Sequence, residues 1–426
     1  MNQHTASPSG EPAWKRLGPG LITGAADDDP SGIATYSQAG AQFGFHMLWT
    51  VILTFPLMAA IQMASARLGL VTGRGLAANI RRVFPGGVLY TIVVLFVVAN
   101  IINIAADIAA MADALHLFLG GPRHLYSLMF GVVCLLLQVF MPYQRTVHYL
   151  KWLTLALLAY VAVAFTVKVP WGEVAMASVL PRLTWDNATL MMVVAVFGTT
   201  ISPYLFFWQA AQEVEDLRAV PGMQGLRRNP GDAAAQLSRI KLDTWIGMGF
   251  SNLVAFFIIL ATAVTLHRAG ITQIQTSAEA AAALRPLAGE FAFLLFGLGI
   301  IGTGLLAVPV LAGSAAYAAA ETMRWEAGLN LKWPSHGQGF YGIIAVATLG
   351  GALMDFLPLD PIKTLFWSAV INGVIAVPIM VMMVLASSRR IMGPFTLSTP
   401  HRVMGGLATG VMSVAVLAML VSWWAP

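Results

Sequence analysis

The stretch Asp27-Asp28-Asp29-Pro30-Ser31-Gly32 interrupts an apolar segment near the start of the chain, and it decides the predicted fold. A proline and a glycine disrupt helical hydrogen bonding here, and three carboxylates in an apolar segment are costly to bury without a partner. A second apolar segment is interrupted in the same way at Gly198-Thr199-Thr200-Ile201-Ser202-Pro203. Backbone carbonyls freed beside carboxylates make a cation site, and paired broken helices are typical of a membrane transporter. The two interruptions therefore predict a cation site near the middle of a membrane.

The composition of the chain is that of a protein with many membrane-spanning helices. Of its 426 residues, 58% are hydrophobic and 10% are charged, far from the values of a soluble domain. Apolar runs of about 20 residues, the length that crosses a bilayer, predict an all-α protein with eleven transmembrane helices. Their predicted bounds are 17–43, 46–70, 87–115, 124–141, 148–169, 188–216, 240–266, 289–323, 339–355, 361–385 and 403–424. We expect no enzyme, because no nucleophile–base pair or His-rich metal site lies at membrane depth.

The longest polar interval, about Glu213 to Lys241, divides the predicted helices into two halves. Each half holds five spans and opens with an interrupted one. Because five is odd, the second half has the opposite orientation in the membrane, which predicts an inverted repeat. The predicted organisation is a single transmembrane domain over 17–426, with repeat one at about 17–170, repeat two at about 188–390 and an extra helix at about 403–424.

Positive charge is distributed unequally between the two sides of this topology. Most of the 24 lysines and arginines fall on the side of the N-terminus, which predicts that this terminus is cytoplasmic. Residues 1–16 are polar and rich in Pro and Ser, and they predict a disordered cytoplasmic tail. The net charge of +5 then reflects topology and contact with membrane lipids, with no nucleic acid and no obligate protein partner implied. We expect an integral protein of a prokaryotic inner membrane.

Candidate metal ligands lie at the two interruptions. Asp29 brings a formal charge to the end of the first half-helix, where carbonyls are unpaired and the helix dipole is negative. Asp28 is a second carboxylate candidate, and Thr199 offers a carbonyl and Ser202 a hydroxyl at the other interruption. A competing interpretation is that the three aspartates only cap the following helix. Capping needs one aspartate and not three, which favours the metal site.

Polar residues on neighbouring helices form candidate ion pathways. Asn103 and Asp107 share one helical face in the third span, where Asp107 is either functional or a buried structural carboxylate. Gln209 and Glu213 follow the second interruption as a polar stripe. For Glu213 a solvated helix end is the favoured interpretation, because charge runs at helix termini usually face water. A further stripe, expected to line an outward vestibule, consists of Thr35, Gln38 and Gln42.

The residues at these positions resemble the Nramp family of divalent-metal transporters. The similarity covers most of the chain in span order, and the first span is its most specific part. The matching stretches are Leu17-Gly18-Pro19-Gly20-Leu21, Asp29-Pro30, Gln38-Ala39-Gly40-Ala41-Gln42-Phe43-Gly44, Leu68-Gly69, Thr72-Gly73, Ala106-Asp107-Ile108-Ala109 and Ser388-Arg389-Arg390-Ile391-Met392-Gly393. The resemblance implies a LeuT-like inverted-repeat fold with broken first and sixth helices and metal coordination at both breaks.

Departures from the family pattern fall at the site itself. Gly32 stands where the family's Asp-Pro-Gly-Asn motif has its ligand Asn, and Ser202 and Tyr204 stand where its Met-Pro-His motif has Met and His. Ala110 stands where the family has a Glu one turn after Asp107. A thioether favours soft or borderline metals, so its loss leaves a harder and roomier site that suits a partly hydrated Mg²⁺. Losing the Glu and His removes groups suited to proton relay.

The pattern resembles the Nramp-related magnesium transporters, a branch with such a remodelled site. It implies a secondary transporter of Mg²⁺, and also Mn²⁺, that works by alternating access with weak or no proton coupling. The implied metal site consists of Asp29, Asp28, Gly32, Thr199 and Ser202, and the implied ion pathway of Asn103, Asp107, Tyr204, Gln209 and Glu213. Proton-coupled Mn²⁺/Fe²⁺ uptake is the main alternative; aluminium transport and a LeuT-fold amino-acid carrier rank lower. Apart from the transported metal, we expect no cofactor.

Overall fold

The computed structural model describes residues 19–141, 155–182, 184–220, 222–231, 233–331, 337–358 and 360–423. Regular structure in these residues is helical throughout. The first half contains α1 (Pro19–Asp27), α2 (Pro30–Phe43), α3 (Leu48–Thr72), α4 (Leu76–Ile80), α5 (Gly86–Leu119), α6 (Arg123–Phe140), α7 (Leu158–Thr166) and α8 (Trp171–Val179). The second contains α9 (Asn187–Thr200), α10 (Pro203–Ala219), α11 (Ala233–Thr265), α12 (Ser277–Ala282), α13 (Arg285–Ala288), α14 (Ala292–Met323), α15 (Gln338–Met354), α16 (Pro361–Ala386), α17 (Arg389–Met392) and α18 (Thr399–Ser422).

Eight stretches of the described residues are long and apolar enough to cross a bilayer. They are Pro30–Thr72, Gly86–Leu119, Arg123–Phe140, Asn187–Ala219, Ala233–Ala269, Arg285–Met323, Pro361–Ala386 and Thr399–Ser422. Two shorter apolar helices, Leu155–Thr166 and Gln338–Met354, lie at two further predicted spans. The count of eleven and the bounds of the two repeats stay predictions. The predicted tail at 1–16, and the part of the predicted fifth span before Leu155, lie outside the described residues.

Both predicted interruptions are present. The first helix ends at Asp27 and the next begins at Pro30, while α9 ends at Thr200 and α10 begins at Pro203. In each case the new helix starts with proline at its first position. Proline is favoured there because its missing N–H would have no partner in the first turn and its φ is preset for a helix. The two predicted helix breaks are therefore confirmed.

Glycines let the first half-helix lie directly against α11. The backbone N–H of Gly20 donates to Asp243 Oδ2 at 2.6 Å. One turn later, a Cβ on Gly24 would lie only 2.2 Å from the carbonyl oxygen of Gly247. Small residues allow such backbone approach between membrane helices. The contact fixes the position of Asp27, which ends this half-helix, and of Asp28, which follows it.

The second broken helix is held by α3. Gln62 donates through Nε2 to the carbonyl of Leu205 at 2.9 Å, and the Ser65 hydroxyl donates to the carbonyl of Phe206. Helices α5 and α14 are joined by Asn100, whose Nδ2 donates to the Leu311 carbonyl at 2.9 Å. The two breaks thus lie between helices that are tied together by buried side-chain hydrogen bonds.

Candidate metal centre

Asp29 is the most densely hydrogen-bonded of the three aspartates. As the N-cap of α2, its Oδ1 accepts the backbone N–H of Gly32 at 2.6 Å and the hydroxyl of Ser31 at 3.0 Å. Its Oδ2 accepts Nδ2 of Asn103 at 3.0 Å and the hydroxyl of Tyr204 at 3.5 Å. Only 1% of Asp29 is exposed. Because a carboxylate has about four lone-pair sites, an ion must displace one of these donors to bind here, and the Tyr204 contact is the longest.

Asn103 connects Asp29 to two further polar residues. The same Nδ2 that binds Asp29 also donates to Asp107 Oδ2 at 3.1 Å, one turn along α5. Its Oδ1 accepts Nδ2 of Asn372, from α16, at 3.0 Å. Asp107 Oδ1 is buried and accepts no hydrogen bond from the described residues. The predicted pathway residues Asn103 and Asp107 therefore lie directly beside Asp29.

Asp27 and Asp28 face a different helix. The hydroxyl of Ser251 on α11 donates to Asp27 Oδ2, and it lies 3.2 Å from Asp28 Oδ1. Both carboxylates are buried, and their remaining oxygens, Asp27 Oδ1 and Asp28 Oδ2, accept no hydrogen bond from the described residues. The capping interpretation therefore holds for Asp29, whereas its two neighbours turn away from the helix that they would cap.

The second break supplies neutral oxygen atoms. The Ser202 hydroxyl donates to the carbonyls of Gly198 at 2.8 Å and Thr199 at 2.7 Å, so it satisfies the end of α9. Its lone pairs remain able to bind a cation. Thr200 uses its hydroxyl differently: it donates to the carbonyl of Val196 and pairs with the hydroxyl of Tyr36, which belongs to α2, at 2.8 Å.

Two contacts bring the breaks together. The Tyr204 hydroxyl, at the start of α10, donates to the carbonyl of Ala26 at the end of α1, at 3.0 Å. A Cβ on Gly32 would lie 3.0 Å from Thr199 Oγ1 and 3.3 Å from Asp29 Oδ1. Gly32, predicted at a metal-ligand position, offers no side-chain ligand. Its N–H donates to Asp29, and the absence of a Cβ lets Thr199 lie close to it. The candidate residues Asp29, Gly32, Thr199 and Tyr204 are thus neighbours.

On the side of α2, the approach to the breaks is bridged by Gln38. Its Nε2 donates to the Thr272 carbonyl at 3.1 Å, and its Oε1 accepts the N–H of Ile274 at 2.9 Å. A small cavity between this bridge and the first break is lined by Pro30, Ser37 and other residues. Gln38 of the predicted polar stripe on α2 is therefore bonded to the segment of Thr272 and Ile274, and the expectation that the stripe lines an outward vestibule stays a prediction.

On the side of α10, the approach is bridged by Glu213 and Gln209. Glu213 Oε2 pairs with Arg239 of α11 at 2.5 Å, and Gln209 donates through Nε2 to the hydroxyl of Thr244 at 3.0 Å. Neither Glu213 nor Gln209 is exposed, at 0% each. The interpretation of Glu213 as a solvated helix end is therefore wrong, because Arg239, on the next helix, covers it.

The arrangement favours a hard cation held by few protein ligands. Within the described ranges, no group of three or more His, Cys, Asp or Glu side chains is placed to hold one metal ion. The donors at the breaks are instead carboxylate, amide and hydroxyl oxygens and backbone carbonyls. Oxygen ligands suit Mg²⁺, Ca²⁺ and Mn²⁺, and Mg²⁺ commonly keeps part of its water shell. The donors at the breaks are therefore of the oxygen type that hard divalent cations accept.

Several residues at the site were not anticipated from the sequence. Ser251 and Arg239 contact candidate residues and Tyr36 contacts Thr200 of the second break, yet none of the three has a motif of its own. A periodic signal existed for α11: Asp243, Gly247 and Ser251 recur every four residues and face α1. Such a stripe of small and polar residues on an apolar helix marks a packing face.

Comparison with known proteins agrees with this geometry. The Nramp family model, described as natural resistance-associated macrophage protein-like, matches residues 20–422. A divalent metal cation transporter MntH of Acidiphilium cryptum is 26% identical over 419 residues, covering 90% of this chain and 86% of the relative. The MntH of Erwinia tasmaniensis is 29% identical over 300 residues, covering 68% of each protein.

Solved structures show the same fold at low identity. A manganese transporter of Eremococcus coleocola superposes with a TM-score of 0.75 at 18% identity, over 99% of this chain and 89% of that one. Mhp1, a nucleobase-cation-symport-1 family transporter, superposes with a TM-score of 0.57 at 16% identity, over 98% and 96%. These superpositions confirm the predicted LeuT-like fold. With its family model matched over nearly the whole chain, this protein belongs to the Nramp family of secondary metal transporters: it is an integral membrane transporter of divalent metal cations and not an enzyme.

Proposed function

We propose that this transporter prefers Mg²⁺ carried with part of its hydration shell, also accepts Mn²⁺, and has weak or no coupling to protons. The proposal is carried by Ser202, whose hydroxyl donates to the Thr199 carbonyl at 2.7 Å and which, by the resemblance to the family motif, stands where a thioether ligand is expected. A site built from oxygen atoms has no preference for soft metals. Uptake is then driven by the metal gradient and the membrane potential.

The charge available at the breaks supports a weakly held ion. Among the carboxylates of the described residues, Asp29 hydrogen-bonds residues of both breaks, through Gly32 and Tyr204. Asp28 faces Ser251 and reaches the ion, in this proposal, through water. A small number of direct ligands suits Mg²⁺, which dehydrates reluctantly.

The proposal of weak proton coupling rests on two neighbours of Asp107. The next turn of α5 carries Ala110 where the family has Glu, and Tyr204 replaces the family's His. Neither alanine nor a buried phenol is suited to shuttle protons near neutral pH. We also propose that the protein lies in a prokaryotic inner membrane with its N-terminus in the cytoplasm. The domain and repeat bounds are proposed as predicted from the sequence, and no resident cofactor is proposed.

The decisive experiment is metal uptake by liposomes that contain the purified protein. With Mn²⁺ as the reported ion, excess external Mg²⁺ is expected to inhibit uptake, because both ions compete for Asp29. Liposomes with the Asp29→Asn variant serve as the control for leak. Uptake of Mn²⁺ that is insensitive to Mg²⁺ would reject the preference.

Proton-coupled Mn²⁺ uptake is the second candidate. It is favoured by the relatives, which include a manganese transporter and proteins named for divalent metal transport, and by the buried pair Asn103–Asp107 beside the site. A pH indicator inside the same liposomes separates the candidates. Acidification that follows Mn²⁺ entry would support this alternative, and a constant internal pH supports uncoupled transport.

A further inference from the structure

A second charged site lies away from the metal centre, where α3 and α10 end. A cavity of about 490 Å³ is present there, in the size range of small-molecule sites. Five arginines line it, and its lining residues include no Asp or Glu. These arginines are Arg74, Arg82, Arg218, Arg227 and Arg228. They come from separate segments, so their convergence is a property of the fold and not of one basic run.

The loop that carries two of these arginines is docked tightly on the end of α3. The N–H of Leu226 donates to the Leu70 carbonyl at 3.2 Å, and the N–H of Arg227 to the Val71 carbonyl at 3.1 Å. A Cβ on Gly225 would lie 2.5 Å from the backbone nitrogen of Gly73. Gly73 itself has φ +64°, a left-handed conformation that favours glycine. Two glycines are thus required to bring the loop arginines beside Arg74 and Arg82.

The five arginine side chains are exposed, and most of them are not neutralised within the described residues. Arg227 donates to the carbonyls of Arg390 at 3.3 Å and Ile391 at 3.0 Å. Only Arg218 among the five has an ion pair within the described residues, with Glu215 at 3.7 Å. Partial burial lowers the pKa of Arg82, and repulsion by Arg74, Arg227 and Arg390 lowers this pKa further. The arginines therefore repel one another, and an anion would relieve this repulsion.

Helix ends cancel only part of this charge. The C-terminal ends of α3 and α10 contribute about −0.5 each, and Glu215 contributes one full negative charge. Roughly three positive charges therefore remain uncompensated. A general excess of cytoplasmic lysine and arginine would follow from membrane topology alone. Topology alone does not explain why guanidinium groups from separate segments converge around one cavity. It also does not explain why two glycines allow the loop to pack against the end of α3.

We propose that this arginine cavity binds a phosphate-bearing anion, which is either the headgroup of an anionic phospholipid or the phosphates of a soluble nucleotide. Guanidinium groups bind phosphate oxygens in a bidentate manner and stay charged at all physiological pH values. Because residues Val214, Leu217 and Arg218 of α10 also line the cavity, a bound anion connects the second half of the broken helix to α3. The site is independent of the metal preference proposed above.

Binding is tested with the full-length protein in nanodiscs of neutral phosphatidylcholine. Tripolyphosphate is titrated against the wild type and against a double variant, Arg82→Gln with Arg228→Gln. Losing two charge-assisted contacts is expected to weaken tripolyphosphate binding by roughly tenfold or more. The matched control is Arg402→Gln, an exposed arginine at the start of α18, for which unchanged binding is expected.

A second arm distinguishes the two sources of the phosphate. Native mass spectrometry after addition of phosphatidylglycerol counts retained lipids on the same three proteins. Retention by the wild type and the Arg402→Gln variant, with loss from the double variant, assigns the cavity to a lipid headgroup. Binding of tripolyphosphate with no such lipid difference assigns it to a soluble phosphate. If neither ligand distinguishes the double variant from the control, the proposal is wrong.

Discussion

The two breaks of this transporter have the same backbone arrangement, with a proline at the start of the second helix, but the first is rich in carboxylates and the second is uncharged. The first carries three aspartates, and Asp29 alone accepts four hydrogen bonds. The second carries no charge, and its Ser202 and Thr200 hydroxyls mainly satisfy the carbonyls at the end of α9. In the proposed function, the first break therefore supplies the attraction for a cation, and the second supplies the neutral oxygen atoms that set its selectivity.

The largest effect is expected from Asp29→Asn, which removes the charge and keeps the shape of the side chain. Metal uptake should fall by roughly a hundredfold, as expected when one partner of a buried charge interaction worth about 3 kcal/mol is lost. Uptake into liposomes at several Mg²⁺ concentrations measures this change. Wild-type uptake by the variant would show that the first break does not hold the ion.

A selective effect is expected from Ser202→Met at the second break. The thioether should raise the affinity for Cd²⁺ by roughly tenfold, or about 1.4 kcal/mol, because it is a soft ligand. Calorimetric titration with Cd²⁺ and with Mg²⁺ measures the change, and Ser178→Met, on a partly exposed position of α8, is the control. Equal Cd²⁺ affinity in all three proteins would remove Ser202 from the site.

The Asp28→Asn variant tests whether Asp28 binds the ion directly, as Asp29 is proposed to do, or acts at a distance from it. Because Asp28 faces Ser251 and not Asn103, we expect a loss of uptake smaller than that of Asp29→Asn by roughly an order of magnitude. The two variants are compared in one liposome assay. Equal losses would mean that both carboxylates bind the ion directly.

The smallest effect is expected from Tyr36→Phe, which removes the hydroxyl that joins α2 to Thr200 of the second break. Stability should fall by about 1 kcal/mol, the usual value of one buried hydrogen bond. Thermal unfolding of the purified protein measures this. Tyr90→Phe is the control, because Tyr90 is 47% exposed and makes only a 3.3 Å hydrogen bond. A shift no larger than that of the control would show that the two breaks are not coupled through Tyr36.

The positions of the breaks could be predicted because their cause is local. Proline at 30 and 203 ends one helix and begins the next wherever the segment is placed. Asp29 could be identified for the same reason, since an aspartate directly before such a proline is both a cap and a charge at a helix end.

The partners of the charged residues could not be predicted because they are set by packing. Three consecutive aspartates look equivalent in the sequence, yet one faces Asn103 on α5 and two face Ser251 on α11. Glu213 was misread for the same reason: its partner Arg239 lies beyond the intervening loop, on another helix. A stripe of polar residues shows which face of a helix is buried, but not which helix covers it.

The close approach of Gly24 to Gly247 restricts which amino acids position 24 can accept during evolution. Every other amino acid carries a Cβ, and at position 24 that atom would be 2.2 Å from a main-chain oxygen. Even alanine would force the first half-helix away from its neighbour and displace the aspartates that follow it. Amino-acid replacements at position 24 are therefore expected to be eliminated whichever metal the protein carries, whereas in the proposed function replacements of Ser202 alter the choice of ion.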